Sequence, residues 1–265
     1  MKIPFLLFFV SSLLFSDVYY SKVDPYEIRD ISSNVSGLVV LSDEDMLGKR
    51  LTSKPYIKID SKLDKQELKF SNEKLTYLSV IVKSNGVILE NTKKSLDKKR
   101  KNYERIASLK IKSDVEKNRE FYDLILSENQ YLATKKEIDN LKIQMLDLKY
   151  KIASLKRKIA DKSLEAKNFV LYSLLVKEGQ VVNIATPLAK VADISKAKLT
   201  IYLDSEDVLD YDSKVIYIDG VKTNYKIDRI IKIADSKNIS KYMAQIIIKS
   251  PKVFSKLVKV ELRDE

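Results

Sequence analysis

Side chains able to do covalent or metal chemistry are scarce in this chain. Its 265 residues include no His and no Cys. No imidazole base, Ser-His-Asp triad, thiolate nucleophile, His/Cys metal site or disulfide can be built from it. Carboxylates are what remains for acid–base work. Asp and Glu number 37, but they follow the surface periodicity of long helical segments and form no visible cluster. The sequence therefore points away from an enzyme, with no catalytic residue, no metal site and no cofactor expected.

Charge is the more informative property. Lys and Arg number 49, giving a formal net charge of +12. Lys-rich solvated helix faces account for such a balance; an acidic partner or an anionic membrane surface would exploit it. Only 5 Gly and 5 Pro are present, so long stretches run without punctuation.

The N-terminus reads as an export signal. Met1 and Lys2 make a short basic start, followed by the apolar block Pro4 to Phe15. A bilayer-spanning helix takes about 20 residues; this block is shorter and suits a signal-peptide core. Residues 1–16 are expected to be the signal, cut after Ser16 or retained as an inner-membrane anchor. No Cys follows, which excludes a lipoprotein anchor. The periplasm is the expected location, and that location argues against a nucleic-acid partner.

The centre of the chain is heptad-patterned. Leu68, Leu75, Val82, Leu89, Leu96 and Tyr103 recur every seventh position. The companion position is weaker, with Leu78 and Ile106 apolar but Asn85, Thr92 and Lys99 polar. Gly86 is expected to kink or fray this arm, because Gly costs about 1 kcal/mol in a helix interior. A second series runs Leu124, Tyr131, Ile138, Met145, Ile152, Ile159, joined from residue 138 by Leu141, Leu148 and Leu155. The 3-4 spacing is that of a left-handed coiled coil.

Both series lose phase over 108–114, and Ser113 with Glu116 makes a capping box for a second helix. The spacing predicts an antiparallel hairpin over 62–166 with arms of roughly 70 Å. The alternative, one continuous helix in a parallel dimer, fits the broken phase and the cap less well.

The flanks read as β. Residues 35–60 and 169–195 are rich in β-branched residues, and Pro55–Ile59 and Pro187–Val191 share the pattern P-x-x-K-(I/V). Neither half is long enough to bury a core alone; together they make one split domain. The tail adds strand-like segments at 199–203, 214–218, 225–234, 244–248 and 257–262, with turns at Asp219-Gly220 and Ser250-Pro251. Short strands at this spacing suggest a small β-barrel.

This order of parts resembles the periplasmic adaptor, or membrane fusion protein, family (HlyD-like). The stretch Val176–Asp207 resembles the family's second lipoyl half entering the barrel, Tyr103 to Ser113 its hairpin turn, and Ile227–Pro251 a barrel segment. The resemblance implies an α+β fold: a long antiparallel coiled-coil hairpin inserted in a split lipoyl-like β domain, followed by a small β-barrel. The implied parts are a first lipoyl half at 17–61, the hairpin at 62–166, a second lipoyl half at 167–197 and the barrel at 198–265. Only a rudimentary membrane-proximal domain is expected.

The resemblance also implies partners: an inner-membrane transporter of ABC or RND type, a TolC-type outer-membrane channel, and further copies of the chain in hexameric rings. The family's channel-docking tip often reads R-x3-L-x6-S. Aligned on Ser113, the Leu position holds Ile106 and the Arg position holds Asn102. The substitution leaves Lys101 or Arg105 to supply the positive charge. Asn102, Arg105, Ile106, Leu109 and Ser113 are the tip residues this alignment marks. The other reading of the same pattern is a structural coiled-coil protein of the cell envelope with no transport role.

Overall fold

The computed structural model describes residues 17–234 and 240–264; the signal expected at 1–16 lies outside them. The chain contains strands β1 (Asp17–Lys22), β2 (Asp24–Ser32), β3 (Gly37–Ser42) and β4 (Ile57–Ile59). The helices α1 (Lys62–Ala107) and α2 (Asp114–Asp161) follow. Then come β5 (Ser163–Leu164), β6 (Val170–Leu174), β7 (Val181–Val182), β8 (Pro187–Leu203) and the short helix α3 (Asp207–Asp210). The last strands are β9 (Val215–Ile218), β10 (Val221–Lys222), β11 (Ile227–Ala234), β12 (Tyr242–Lys249) and β13 (Leu257–Arg263). Two units result: a helical one, Ile59–Leu164, and a β one from the residues on either side of it. This is the α+β class with a helical hairpin inserted in β sequence. No helix among the described residues is long and apolar enough to cross a membrane.

In the helical unit, α1 and α2 pair along a seam. The least exposed α1 positions run 64, 68, 71, 75, 78, 82, 85, 89, 92, 96 and 99, an unbroken 4-3 alternation. The polar companions Ser71, Asn85, Thr92 and Lys99 thus face the partner helix despite their chemistry. Cross-hairpin contacts fix the register: Asp64 with Lys158, Asn85 with Glu137, Lys99 with Asp123. The basal seam is apolar, with Leu78, Leu148 and Ile152 buried against Leu68, Leu75, Leu141 and Met145. Beyond Val82, each layer on this register sets an apolar residue against a polar one, as Leu89 against Thr134 and Leu96 against Ser127. Burial of apolar area therefore holds the base more strongly than the distal half.

The fray expected at Gly86 does not occur; α1 is helical from Lys62 to Ala107. Val82 and Leu89 lie in the seam on either side of it, and Asn85 Nδ2 donates to Glu137 Oε1 at 3.1 Å, which ties this turn to α2. A Cβ on Gly86 would meet no atom within 4 Å. Gly86→Ala is therefore expected to raise stability by about 0.5–1 kcal/mol, seen as a higher urea midpoint for loss of helical circular dichroism.

The base of the hairpin is closed by charge. Asp64 and Lys162 occupy its last seam positions, with side chains only 8% and 9% exposed. Lys162 Nζ bonds Asp64 Oδ2 and also donates to the Asp60 carbonyl at 2.6 Å, and Lys158 Nζ lies 2.8 Å from Asp64 Oδ1. Burial alone would raise the Asp64 carboxyl, but the two ammonium groups outweigh it and hold the group below the usual carboxylate range.

The β unit interleaves both flanks. β3 pairs with β7, Gly37 opposite Val182. Leu51 N–H donates to the Phe169 carbonyl at 2.7 Å and Gly48 N–H to the Leu171 carbonyl at 2.9 Å. Val39, Tyr56, Ile57, Leu171, Val182 and Leu188 are fully buried; burial pushes the Tyr56 hydroxyl up to about 12. Gly179, at φ +86°, turns the chain so that its N–H reaches the Val39 carbonyl at 2.9 Å. This is the split lipoyl-like arrangement.

Two curled sheets make the barrel, in the orders β1-β13-β9-β10 and β11-β12-β8-β2. Their core includes Tyr19, Leu199, Ile201, Leu203, Ile216, Ile246, Val260 and Leu262. Alternate residues of β8 and β13 supply it, as a half-buried strand requires. Asp219 and Gly220 both take positive φ, 49° and 80°, the two-residue turn that joins β9 to β10.

Strand pairing runs across the expected segment boundaries at two places. Residues 17–22, expected with the first lipoyl half, pair with the last strand, whereas β2 pairs mainly with residues 187–193 of the expected second lipoyl half. β1 runs against β13, Asp17 opposite Leu262, and β2 runs along β8. Tyr19, Ser21 and Val23 are buried at period 2 while Val18 and Tyr20 are exposed, so the alternation was present in the sequence. Pro25 interrupts it, sitting at a register shift against β8, where a residue without an N–H is tolerated. Secondly, a boundary at 197/198 falls inside β8. That strand pairs with β2 and β6 near its start and with β12 near its end, without a break.

Candidate functional site

The hairpin turn is the place where sequence and geometry concentrate unusual features. α1 ends at Ala107 because its next residues cannot continue the seam. Ser108 N–H still reaches the Glu104 carbonyl at 3.4 Å, Leu109 N–H takes the Ile106 carbonyl at 3.1 Å, and Ser108 Oγ donates to the Arg105 carbonyl at 2.8 Å. Three orphan carbonyls of the helix end are thereby satisfied.

α2 starts at the cap expected from the sequence. Ser113 Oγ accepts from Glu116 N–H at 3.3 Å, and Ser113 N–H donates to Glu116 Oε2 at 3.1 Å, a complete capping box. Lys112 Nζ lies 2.9 Å from Glu116 Oε1. The Lys112 ammonium, then the Ser113 N–H and hydroxyl, hold the Glu116 carboxyl below its usual range. The turn is thus pinned at both ends, and 109–112 are presented rather than loose.

The residues marked by sequence fall within this one tip. Asn102 is half-buried on the last turns of α1, and Arg105 is exposed. Ile106 is half-buried, lining a depression of about 210 Å³ with Glu116, Arg119, Glu120 and Asp123. Leu109 stands exposed in the turn, and Ser113 is the cap. Sequence reasoning missed the two most exposed apolar side chains of the tip: Ile111 is 87% and Val115 is 79% exposed. Both fall where the heptad phase breaks, so periodicity gave them no role; an apolar residue with no seam to enter was the available signal. Behind the tip, Tyr103 and Phe121 meet across the hairpin with ring centroids 5.7 Å apart, a contact that adds to burial. The tip thus presents exposed apolar side chains on a braced turn.

No family profile and no curated protein sequence matches the chain. Solved structures do. The crystal structure of MacA from Actinobacillus actinomycetemcomitans superposes with a TM-score of 0.66 at 19% identity, covering 96% of this chain and 79% of that one. A MacA-MexA chimera carrying the Pseudomonas aeruginosa MexA α-hairpin domain gives 0.54 at 15% identity, over 96% and 82%. The membrane fusion protein Spr0693 from Streptococcus pneumoniae R6 gives 0.54 at 8% identity, over 94% and 99%. Hairpin, split lipoyl-like domain and barrel, in this order, make the chain's fold that of the periplasmic adaptors, the membrane fusion proteins.

Proposed function

We propose that this chain is a non-enzymatic adaptor of a tripartite efflux or secretion system. It is exported to the periplasm by its first 16 residues and associates with the inner membrane. The hairpin spans toward a TolC-type outer-membrane channel and docks through its tip, with Asn102, Arg105, Ile106, Leu109 and Ser113 in the contact. The β unit engages an inner-membrane transporter of the ABC or RND type. The observation carrying this reading is the match to MacA over 96% of the chain. The apolar tip supports the docking end: Leu109, Ile111 and Val115 are exposed on a turn capped at both ends.

A photo-crosslinking residue placed at Leu109 or Ser113 in the exported protein tests it. The expected product is a covalent adduct with an outer-membrane channel protein. Adducts only with inner-membrane proteins would reverse the proposed orientation of the hairpin.

A further inference from the structure

Partway up the hairpin, α1 and α2 leave a depression of about 280 Å³ between them, lined by Ile88, Asn91, Thr92, Ser95, Ser127 and Gln130. The register fixed by Asp64–Lys158, Asn85–Glu137 and Lys99–Asp123 sets Gln130 level with Thr92 and Ser127 with Ser95. Short hydroxyl side chains meet at this level and do not fill the space between the helices. At 1.5 Å per residue, the depression lies about 45 Å from the start of α1 and about 20 Å short of its end. It shares no lining residue with the depression at the tip.

The lining is uncharged, and most of its hydrogen-bonding capacity is unspent. Hydroxyls and short amides on a helix commonly bond back to a carbonyl one turn earlier. Thr92 does so to Leu89 at 2.9 Å, as do Asn72 to Leu68 and Thr134 to Gln130. Among the described residues, the side-chain amides of Asn91 and Gln130 and the hydroxyls of Ser95 and Ser127 have no partner within the chain. Four groups able to donate and accept thus converge on one depression. Ile88, 49% exposed, adds an aliphatic wall. Asp123, about one turn from Ser127 on α2, is neutralised by Lys99 at 2.8 Å. Asn91, Ser95 and Gln130 are exposed, so the depression is open along the flank of the rod.

This set of groups selects a ligand chemistry. A charged ligand would find no counter-charge inside the depression, and an apolar one would strand four polar groups. A neutral ligand that brings hydroxyls, an amide and a methyl group matches all of them. An acetamido sugar carries that set, with its acetyl methyl for Ile88. The volume falls just under the roughly 300–1,000 Å³ of small-molecule sites, room for one sugar ring, while the open flank lets a strand continue past it. We propose that this depression binds one acetamido-sugar unit of a glycan strand of the kind that forms a cell wall. The inference rests on the periplasmic location proposed above, because a rod reaching between two membranes must cross the wall. It does not rest on docking at the tip.

The test uses the purified full chain and two probes, a trimer of N-acetylglucosamine and the matching glucose trimer, which lacks the acetamido groups. Titration calorimetry should show saturable binding of the first and at least fivefold weaker binding of the second. Asn91→Leu with Gln130→Leu, both at exposed positions, should weaken binding at least tenfold at unchanged helical circular dichroism. The chain should also sediment with purified cell-wall sacculi, and the acetamido trimer should release it. Equal binding of the two trimers, or binding that survives the double variant, would overturn the proposal. Sedimentation that raised salt abolishes and the double variant leaves intact would assign the wall contact to the Lys-rich helix faces instead, and would overturn it too. A chain that cross-links to an outer-membrane channel yet ignores the acetamido trimer would leave the adaptor reading standing and remove this one.

Discussion

Ile106→Asp is expected to abolish transport while the protein remains folded, exported and at normal abundance. Ile106 is half-buried and lines a depression with Lys112, Glu116, Arg119, Glu120 and Asp123, so a carboxylate there puts a charge in place of an aliphatic side chain and removes apolar surface from the tip. The cost in the hairpin itself is about 1–2 kcal/mol for a partly buried aliphatic side chain, confined to layers already weakly held. The cost to docking is larger, because a new charge would enter an interface without a partner. Leu109→Asp separates the two costs, since Leu109 lies outside the seam and its replacement leaves helix pairing intact. Both variants should lose export of the cargo, whereas Ile106→Leu should keep it. Measured transport unaffected by both aspartates would remove the tip from the mechanism.

The second large effect is at the base. Asp64→Asn leaves the Lys162 ammonium 9% exposed without its counter-charge. Breaking a buried pair by removing one partner costs about 3–5 kcal/mol, and the Asp60 carbonyl that Lys162 also holds places this case near the lower end. A clear drop in the urea midpoint is expected. The pair also carries a pH signature. The folded-state pKa of Asp64 lies below its ordinary value, so the stabilisation is present above the unfolded value of about 4. It is lost as pH falls through the lowered folded-state value. Wild-type protein should lose stability more steeply than Asp64→Asn in that acid window. Equal urea midpoints at neutral pH would show that the pair contributes nothing.

The helical part of this fold was legible because heptads report directly on burial. Leu75, Leu78, Leu148 and Ile152 announce their seam, and Ser113 with Glu116 announces the turn. The closure at the base was not legible. Asp64 and Lys162 are 98 residues apart, and each alone looks like one more charge on a solvated helix. Their seam positions become visible only when the alternation is followed through its polar members. The same blindness hid the first strand. Tyr19, Ser21 and Val23 alternate plainly, but Tyr19 and Ser21 lie opposite Val260 and Val258 in the last strand, and nothing local says which edge an early strand will join. At the tip, the aligned positions drew attention to Ile106 and Ser113, while the side chains most available to a partner, Ile111 and Val115, belong to no repeat and no motif.

The unbroken course of β8 has a mechanical consequence. Its 17 residues, at about 3.3 Å each, make a single extended ribbon of roughly 55 Å. The ladder to β2 and β6 grips it near one end, and the ladder to β12 grips it near the other. An already extended chain has almost no slack to give. Tension applied to the lipoyl-like portion therefore reaches the barrel along covalent bonds, with no elastic tether between them to absorb it. The ribbon acts as a tie-rod: these two β modules pull together or not at all.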